Sequence, residues 1–143
     1  AELIPGMLND PSVELRRDAV QYVRPDVCMV GGITGAKKVA TLAEAHHAGV
    51  VPHNPLSPVS TAACIQIAAS IPNFALQEYP TGEGRPPKSE IVKEVLEVAD
   101  GFIKIPNRPG IGVELAEDAM EKHPFKGRGR ATRLHVDGSV VDQ

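Results

Sequence analysis

Aromatic rings are scarce in this chain: its 143 residues include no Trp, two Tyr and three Phe. That scarcity argues against an aromatic-lined binding module. It favours a core of Val, Ile, Leu and Ala packed in α/β layers, which 42% hydrophobic residues can fill. Cysteine is almost absent. Cys28 and Cys64 both lie in apolar stretches and read as free buried thiols of a reducing compartment, not as a disulfide framework. No apolar run approaches the roughly 18 residues of a membrane span, and no signal peptide is visible at the start. The expected location is the cytoplasm, with no membrane partner. Charge of one sign is lacking too. The formal net charge is −3 with acids and bases interleaved, which argues against a nucleic-acid surface with its basic stripe. The one basic cluster, Lys126-Gly-Arg128-Gly-Arg130, has no interleaved aromatics and reads as a solvated loop. No repeat stands out, and the length allows one domain at most, or part of a larger one.

What is present is an alternation of short apolar runs with helix-like segments. Residues 1–12 read as loop, Val13–Gln21 as helical, and Tyr22–Cys28 as a strand weakened by Pro25, which cannot donate to a sheet ladder. Thr34 then caps a helix whose Ala36, Val39, Ala40 and Ala43 recur at helical spacing, with Gly49 as its stop. Val50-Val51-Pro52 is a short buried strand ending at His53. Ser57-Pro58 places an N-cap before a proline at the first helical position. It opens the nearly all-apolar helix Val59–Ser70, which Pro72 ends. Phe74–Gln77 is a third strand. After a loop at Thr81–Lys88, Ser89 caps a helix to about Val98, and Phe102–Ile105 is a fourth strand. A turn at Asn107–Gly112, a short helix at Glu114–Lys122 and a hairpin over Arg133–Val141 around Asp137-Gly138 complete the chain. The βαβαβ order implies a parallel sheet with right-handed crossovers.

Three polar residues close the first three strand runs: Asp26, His53 and Glu78, spaced 27 and 25 residues apart. Each interval is about one strand–helix unit, so the C-terminal ends of adjacent parallel strands would bring the three side chains together. An imidazole can take a proton when neutral and return it when charged. A carboxylate on its far nitrogen fixes the tautomer and stabilises the cation formed. Asp26 and His53 suit those two parts. Glu78 would face them across a bound substrate, where it could hydrogen-bond a carboxylate oxygen as charge builds there. Spacing alone leaves open that each is a loop residue or a cap. His46 and His47, near a helix C-terminus where positive charge suits the dipole, read as structural, as do His123 and His135. The glycines of Gly31-Gly32-Ile33-Thr34-Gly35 precede a helix, yet match neither the dinucleotide fingerprint nor the P-loop, so no cofactor-binding residue is assigned.

The wording around these residues is more specific. Arg24-Pro-Asp26-Val-Cys-Met-Val-Gly-Gly-Ile-Thr34, Val51-Pro-His53-Asn-Pro-Leu-Ser-Pro58 and Ile71-Pro-Asn-Phe-Ala-Leu-Gln-Glu78-Tyr79 resemble the last barrel strands of the enolase superfamily. Within it they are similar to the mandelate racemase branch, and most of all to the acid-sugar dehydratases of galactonate, gluconate and mannonate type. Gly101-Phe-Ile-Lys-Ile-Pro106 and Pro109-Gly-Ile-Gly-Val-Glu114 resemble that family's closing segment. The resemblance implies the C-terminal portion of a modified (β/α)7β TIM barrel: parallel strands six to eight within residues 21–100, and a closing segment over 101–143 that packs on the family's capping domain. Residues 1–20 match poorly. It further implies that His53 is the general base, Asp26 its strand-six partner, and Glu78 the strand-eight acid. An acid at position 26 differs from the lysine that muconate-cycloisomerase-like relatives place there.

The implied reaction removes the proton next to the carboxylate of an aldonate and loses the 3-hydroxyl, giving a 2-keto-3-deoxy acid. One Mg²⁺ stabilises the ene-diolate in such sites. Its ligands are expected upstream of this chain, which supplies no metal residue, and the longer parent is expected to be a homo-oligomer. A barrel alone needs about 250 residues, so the chain reads as a C-terminal fragment. A racemase or epimerase on the same template, and a non-catalytic remnant or assembly piece, are the alternatives.

Overall fold

The computed structural model describes residues 20–127, together with Val136 and Asp137. Residues 13–19 of the expected helix Val13–Gln21, nearly all of segment 1–20, and His135 with most of the Arg133–Val141 hairpin lie outside the described residues, while Val20 and Gln21 are not helical. Three parallel strand lines and two helices form the main body. Strand β1 (Tyr22–Val23) leads to helix α1 (Gly32–Ala45), strand β2 (Gly49–Val50) and helix α2 (Pro58–Ala69). β1 and β2 pair in parallel, Tyr22 opposite Gly49 and Val23 opposite Val50. Further parallel rungs join Asp26 to His53 and Val50 to Phe74. The βαβαβ reading therefore holds, with strand lines much shorter than expected.

Two prolines explain the shortening. Parallel ladders use alternate residues of each strand as donors. Gly49, Val51 and His53 donate to the carbonyls of Gln21, Val23 and Pro25. Pro25 has no N–H to return, so the ladder lapses after Val23 and resumes at Asp26. On the other side, Val50 donates to Asn73 and accepts from Ala75. The next donor in that alternation is residue 52, a proline. The third strand, expected over Phe74–Gln77, is thus reduced to its one rung at Phe74.

Small residues let α1 lie close to this sheet: Ala36, Ala40 and Ala43 are its buried positions. Ala40 and Ala43 pack with Val23, Ala48 and Val50, while Ala36 joins Val27, Cys64 and Ile67. α1 begins two residues before Thr34, the expected cap. Gly31 holds the cap position at φ 89° and Gly32 follows at φ 75°. The chain leaves Asp26, whose carbonyl accepts from both Met29 and Val30, and must reverse at once. Left-handed backbone suits glycine there. At the other end His47 (φ 55°), not Gly49, makes the stop. Gly49 is instead a strand residue whose missing Cβ leaves room for the Tyr22 ring. α2 starts as expected, with Ser57 and Ser60 capping each other reciprocally and Pro58 in the first turn. Seven of its twelve residues are buried, as its apolar sequence requires.

Beyond Glu78 the structure departs from the sequence expectations. No helix spans Ser89–Val98. A 3-10 turn, Lys88–Ile91, is followed by extended chain, with Val92 bridged antiparallel to Leu115. Lys93 donates to Glu114 and Ala116 to Ile91. This pairing takes the backbone groups of both segments, so the expected helix Glu114–Lys122 shrinks to α3 (Ala119–Lys122). The expected fourth strand does not extend the parallel sheet. β4 (Phe102–Ile103) folds back antiparallel on β3 (Val98–Ala99) through Asp100 and Gly101, both at positive φ. Leu96, buried against Ala62 and Ile65, ties this segment to α2. Cys28 is also corrected: it lies exposed in the turn after Asp26, while Cys64 is buried. No helix among the described residues is long and apolar enough to cross a membrane.

Gly35 marks the tightest approach. A Cβ there would stand 1.7 Å from the Val30 carbonyl oxygen. Gly35→Ala must push the turn away from α1, and overpacking of this kind costs about 1–3 kcal/mol. A clear fall in Tm is expected in thermal unfolding, with little change for Gly31→Asn, whose site is open and whose residue tolerates positive φ.

Candidate active site

All three residues singled out from the sequence reach one rim. Asp26 and His53 face each other across a parallel rung, at the C-terminal ends of neighbouring strand lines. His53 Nδ1 lies 3.0 Å from Asp26 Oδ2. The other Asp26 oxygen accepts the Cys28 amide at 2.8 Å, so the buried carboxylate is held from two sides. The imidazole is partly exposed, and its Nε2 makes no hydrogen bond among the described residues. A ring oriented through one nitrogen and open at the other can take up or give a proton at the open one.

Glu78 comes from the third line, past the point where the ladder has stopped. Its Oε2 accepts from Arg24 Nη2 at 2.7 Å and from the Asn54 amide at 2.8 Å. Burial alone would push its carboxyl up. The Asn54 amide, the Arg24 guanidinium and nearby His53 outweigh it and hold the group below its ordinary value of 4.5. Glu78 is therefore an anion and an acceptor at neutral pH.

Sequence reasoning missed Arg24, Asn54, Thr61 and Glu83. A signal for Arg24 existed: two residues before Asp26 on an extended chain, it shares that residue's face. Asn54, next to His53, is fully buried; its side chain donates to Thr61 Oγ1 at 2.6 Å and to the Glu78 carbonyl at 3.2 Å. It accepts from Ser60 Oγ at 2.6 Å. Thr61 in turn donates to Glu83 Oε2 at 2.6 Å. Glu83 is 2% exposed, and burial pushes its carboxyl above 4.5 against the pull of Thr61 and Lys88. It sits alone in a Gly- and Pro-rich loop and carries no local signal. Cys64, beneath the site, is a poor nucleophile, since burial and then the Asp26 charge push its thiol up to about 12. His46 and His47 sit at the end of α1, and His123 pairs with Glu90 at the surface.

The donors present do not fit a resident Mg²⁺. That ion asks for a near-octahedral set of oxygens. Asp26 is committed to His53 and the Cys28 amide, and Glu78 to Arg24 and the Asn54 amide. Among the described residues no three His, Cys, Asp or Glu side chains are grouped to hold a metal.

Comparison with known proteins identifies the family. Residues 10–119 match the enolase C-terminal domain-like family, and the chain belongs to it. It is 36% identical over 130 residues to a D-mannonate dehydratase of Caulobacter vibrioides, covering 90% of this chain and 32% of that protein. With a D-galactonate dehydratase of Xanthomonas campestris it shares 37% over 131 residues, covering 86% and 34%. An enolase from Pantoea ananatis, solved with bound D-gluconate and Mg, superposes with a TM-score of 0.76 at 29% identity, over 84% of this chain and 29% of that one. The chain thus spans about a third of the length of the curated relatives it matches. Its parallel strand lines are the last strands of an enolase-superfamily barrel, followed by the closing segment.

The lowered Glu78 carboxyl has a definite sign in stability. A folded value below 4.5 contributes stability that is present above 4.5 and lost as pH falls through the folded value. Glu78→Gln should show its largest Tm deficit above pH 4.5, closing under more acid conditions. A deficit constant across that range would show that the charge contributes nothing.

Proposed function

We propose that the chain carries the proton-transfer portion of an acid-sugar dehydratase. The observation that carries this reading is the 3.0 Å contact between His53 Nδ1 and Asp26, which leaves Nε2 open at the strand rim. The names of the relatives supply the substrate class: a mannonate and a galactonate dehydratase. In this reading neutral His53 removes the proton on the carbon next to the aldonate carboxylate. Asp26 keeps Nδ1 protonated and offsets the charge that the ring acquires. The substrate carboxylate lies against Glu78 and Arg24. An anion brought up to Glu78 disfavours its charged form; a proton taken from solvent on binding would make Glu78 a donor to the carboxylate as charge builds there. The imidazolium gives its proton to the departing 3-hydroxyl, which leaves as water, and the enol that remains tautomerises to the 2-keto-3-deoxy acid. Mg²⁺, which the family implies, would need ligands other than the residues described here.

The test uses the full-length protein with Mg²⁺ and a panel of aldonates, following 2-keto acid formation. His53→Asn should lower turnover by roughly 10²–10⁴-fold, the usual range for losing a general base, and should abolish exchange of the α-proton with solvent deuterium. Turnover within a few fold of wild type would remove His53 from the role of base. Exchange without loss of water would reassign the chemistry to racemisation or epimerisation.

A further inference from the structure

The rim loses its backbone ladder where Glu78 needs it, since Pro52 cannot donate and the strand pairing ends at Phe74. Asn54 takes over that function. Its main-chain N–H holds the Glu78 carboxylate at 2.8 Å, and its side-chain amide holds the Glu78 carbonyl at 3.2 Å. One residue thus grips both ends of Glu78. The grip is anchored from inside: the remaining Asn54 donor goes to Thr61, its oxygen accepts from Ser60, and Thr61 ends on Glu83. All four residues are buried.

Helix capping does not require this arrangement. Ser57 and Ser60 cap α2 between themselves, and a proline already opens the helix. Thr61 has a second acceptor in the Ser57 carbonyl at 3.2 Å, so that hydroxyl does not need the Glu83 carboxyl, whose charged form burial disfavours.

We propose that Asn54 is a positioning residue and that Thr61 and Glu83 form its anchor. Held this way, Glu78 meets a substrate carboxylate at a fixed place opposite the His53–Asp26 pair. The reading of what Glu78 does there rests on the proposed function; the mechanical link from Glu83 to Glu78 does not. The charged groups facing Glu78 are Arg24 on the first strand line and His53 on the second, with Asp26 behind His53. None belongs to the anchor, so anchor variants leave the neighbouring charges in place.

The experiment combines carboxyl ¹³C NMR titration of Glu78 with kcat/KM and Tm in the full-length protein. Thr61→Val removes the hydroxyl and keeps the shape; Glu83→Met removes the acceptor and relieves the buried carboxyl. Both should raise the Glu78 midpoint toward 4.5 as the Asn54 amide loosens, and lower kcat/KM by about tenfold or more, since misplacement of about 1 Å can cost a hundredfold. Glu83→Met should do so with Tm unchanged or higher, which a merely structural role cannot produce. Thr61→Ser and Glu83→Gln retain the hydroxyl and the acceptor and should behave as wild type. An unmoved Glu78 midpoint in both Thr61→Val and Glu83→Met overturns the proposal, as does a rate loss that follows Tm alone. If wild type turns over no aldonate, the proposed function falls, and the titration midpoints decide this inference by themselves.

Discussion

The parallel rung that sets Asp26 opposite His53 is the constraint on which the site depends. It places an acid and an imidazole 3.0 Å apart although 27 residues separate them in the chain. His53 donates its own amide to the Pro25 carbonyl, so the residue is fixed by its backbone as well as through its ring. A shift of one residue in this register would send the His53 side chain to the other face of the sheet. The local turn at Val27–Gly31 then carries the chain away, leaving the rim open.

Prolines set where regular pairing stops and side-chain bonding begins. Pro25 and Pro52 each remove one donor, and both lie next to a residue of the candidate site. Below them the sheet is held by backbone bonds; above them Asp26 holds the Cys28 amide and Asn54 holds Glu78. The change matters chemically. Backbone rungs fix main chains, whereas the bonds at the rim also fix the carboxylates themselves.

Environment then separates two glutamates that composition cannot distinguish. Glu78, beside a guanidinium and an amide, is held as an anion. Glu83, five residues on and nearly enclosed, has its carboxyl pushed the other way. Paired carboxyls driven apart in this manner commonly mark acid–base sites. Here only the first lies at the rim, while the second supports it through Thr61 and Asn54.

Much of this was legible before any coordinates. The βαβαβ order and the Ser57-Pro58 start of α2 follow from local preference, while the spacing of Asp26, His53 and Glu78, about one strand–helix unit each, allows their convergence without fixing it. The errors are as instructive. The hairpin at Asp100-Gly101 carries the same two-residue signal recognised at Asp137-Gly138, but helical spacing in Ile91, Val95 and Val98 masked it. Ser89–Val98 satisfies a helix pattern, yet its backbone groups found partners around Glu114–Ala116, a choice no local window contains. By itself, the sequence determined which residue types stand at which strand ends, through periodicity and turn chemistry. Only the tertiary structure decided that Glu78 is ionised against Arg24 and anchored through Asn54 to Glu83. Those bonds, one of them from the Asn54 main-chain amide, span 54, 24 and 22 residues of chain, between groups that meet only after the strands have paired.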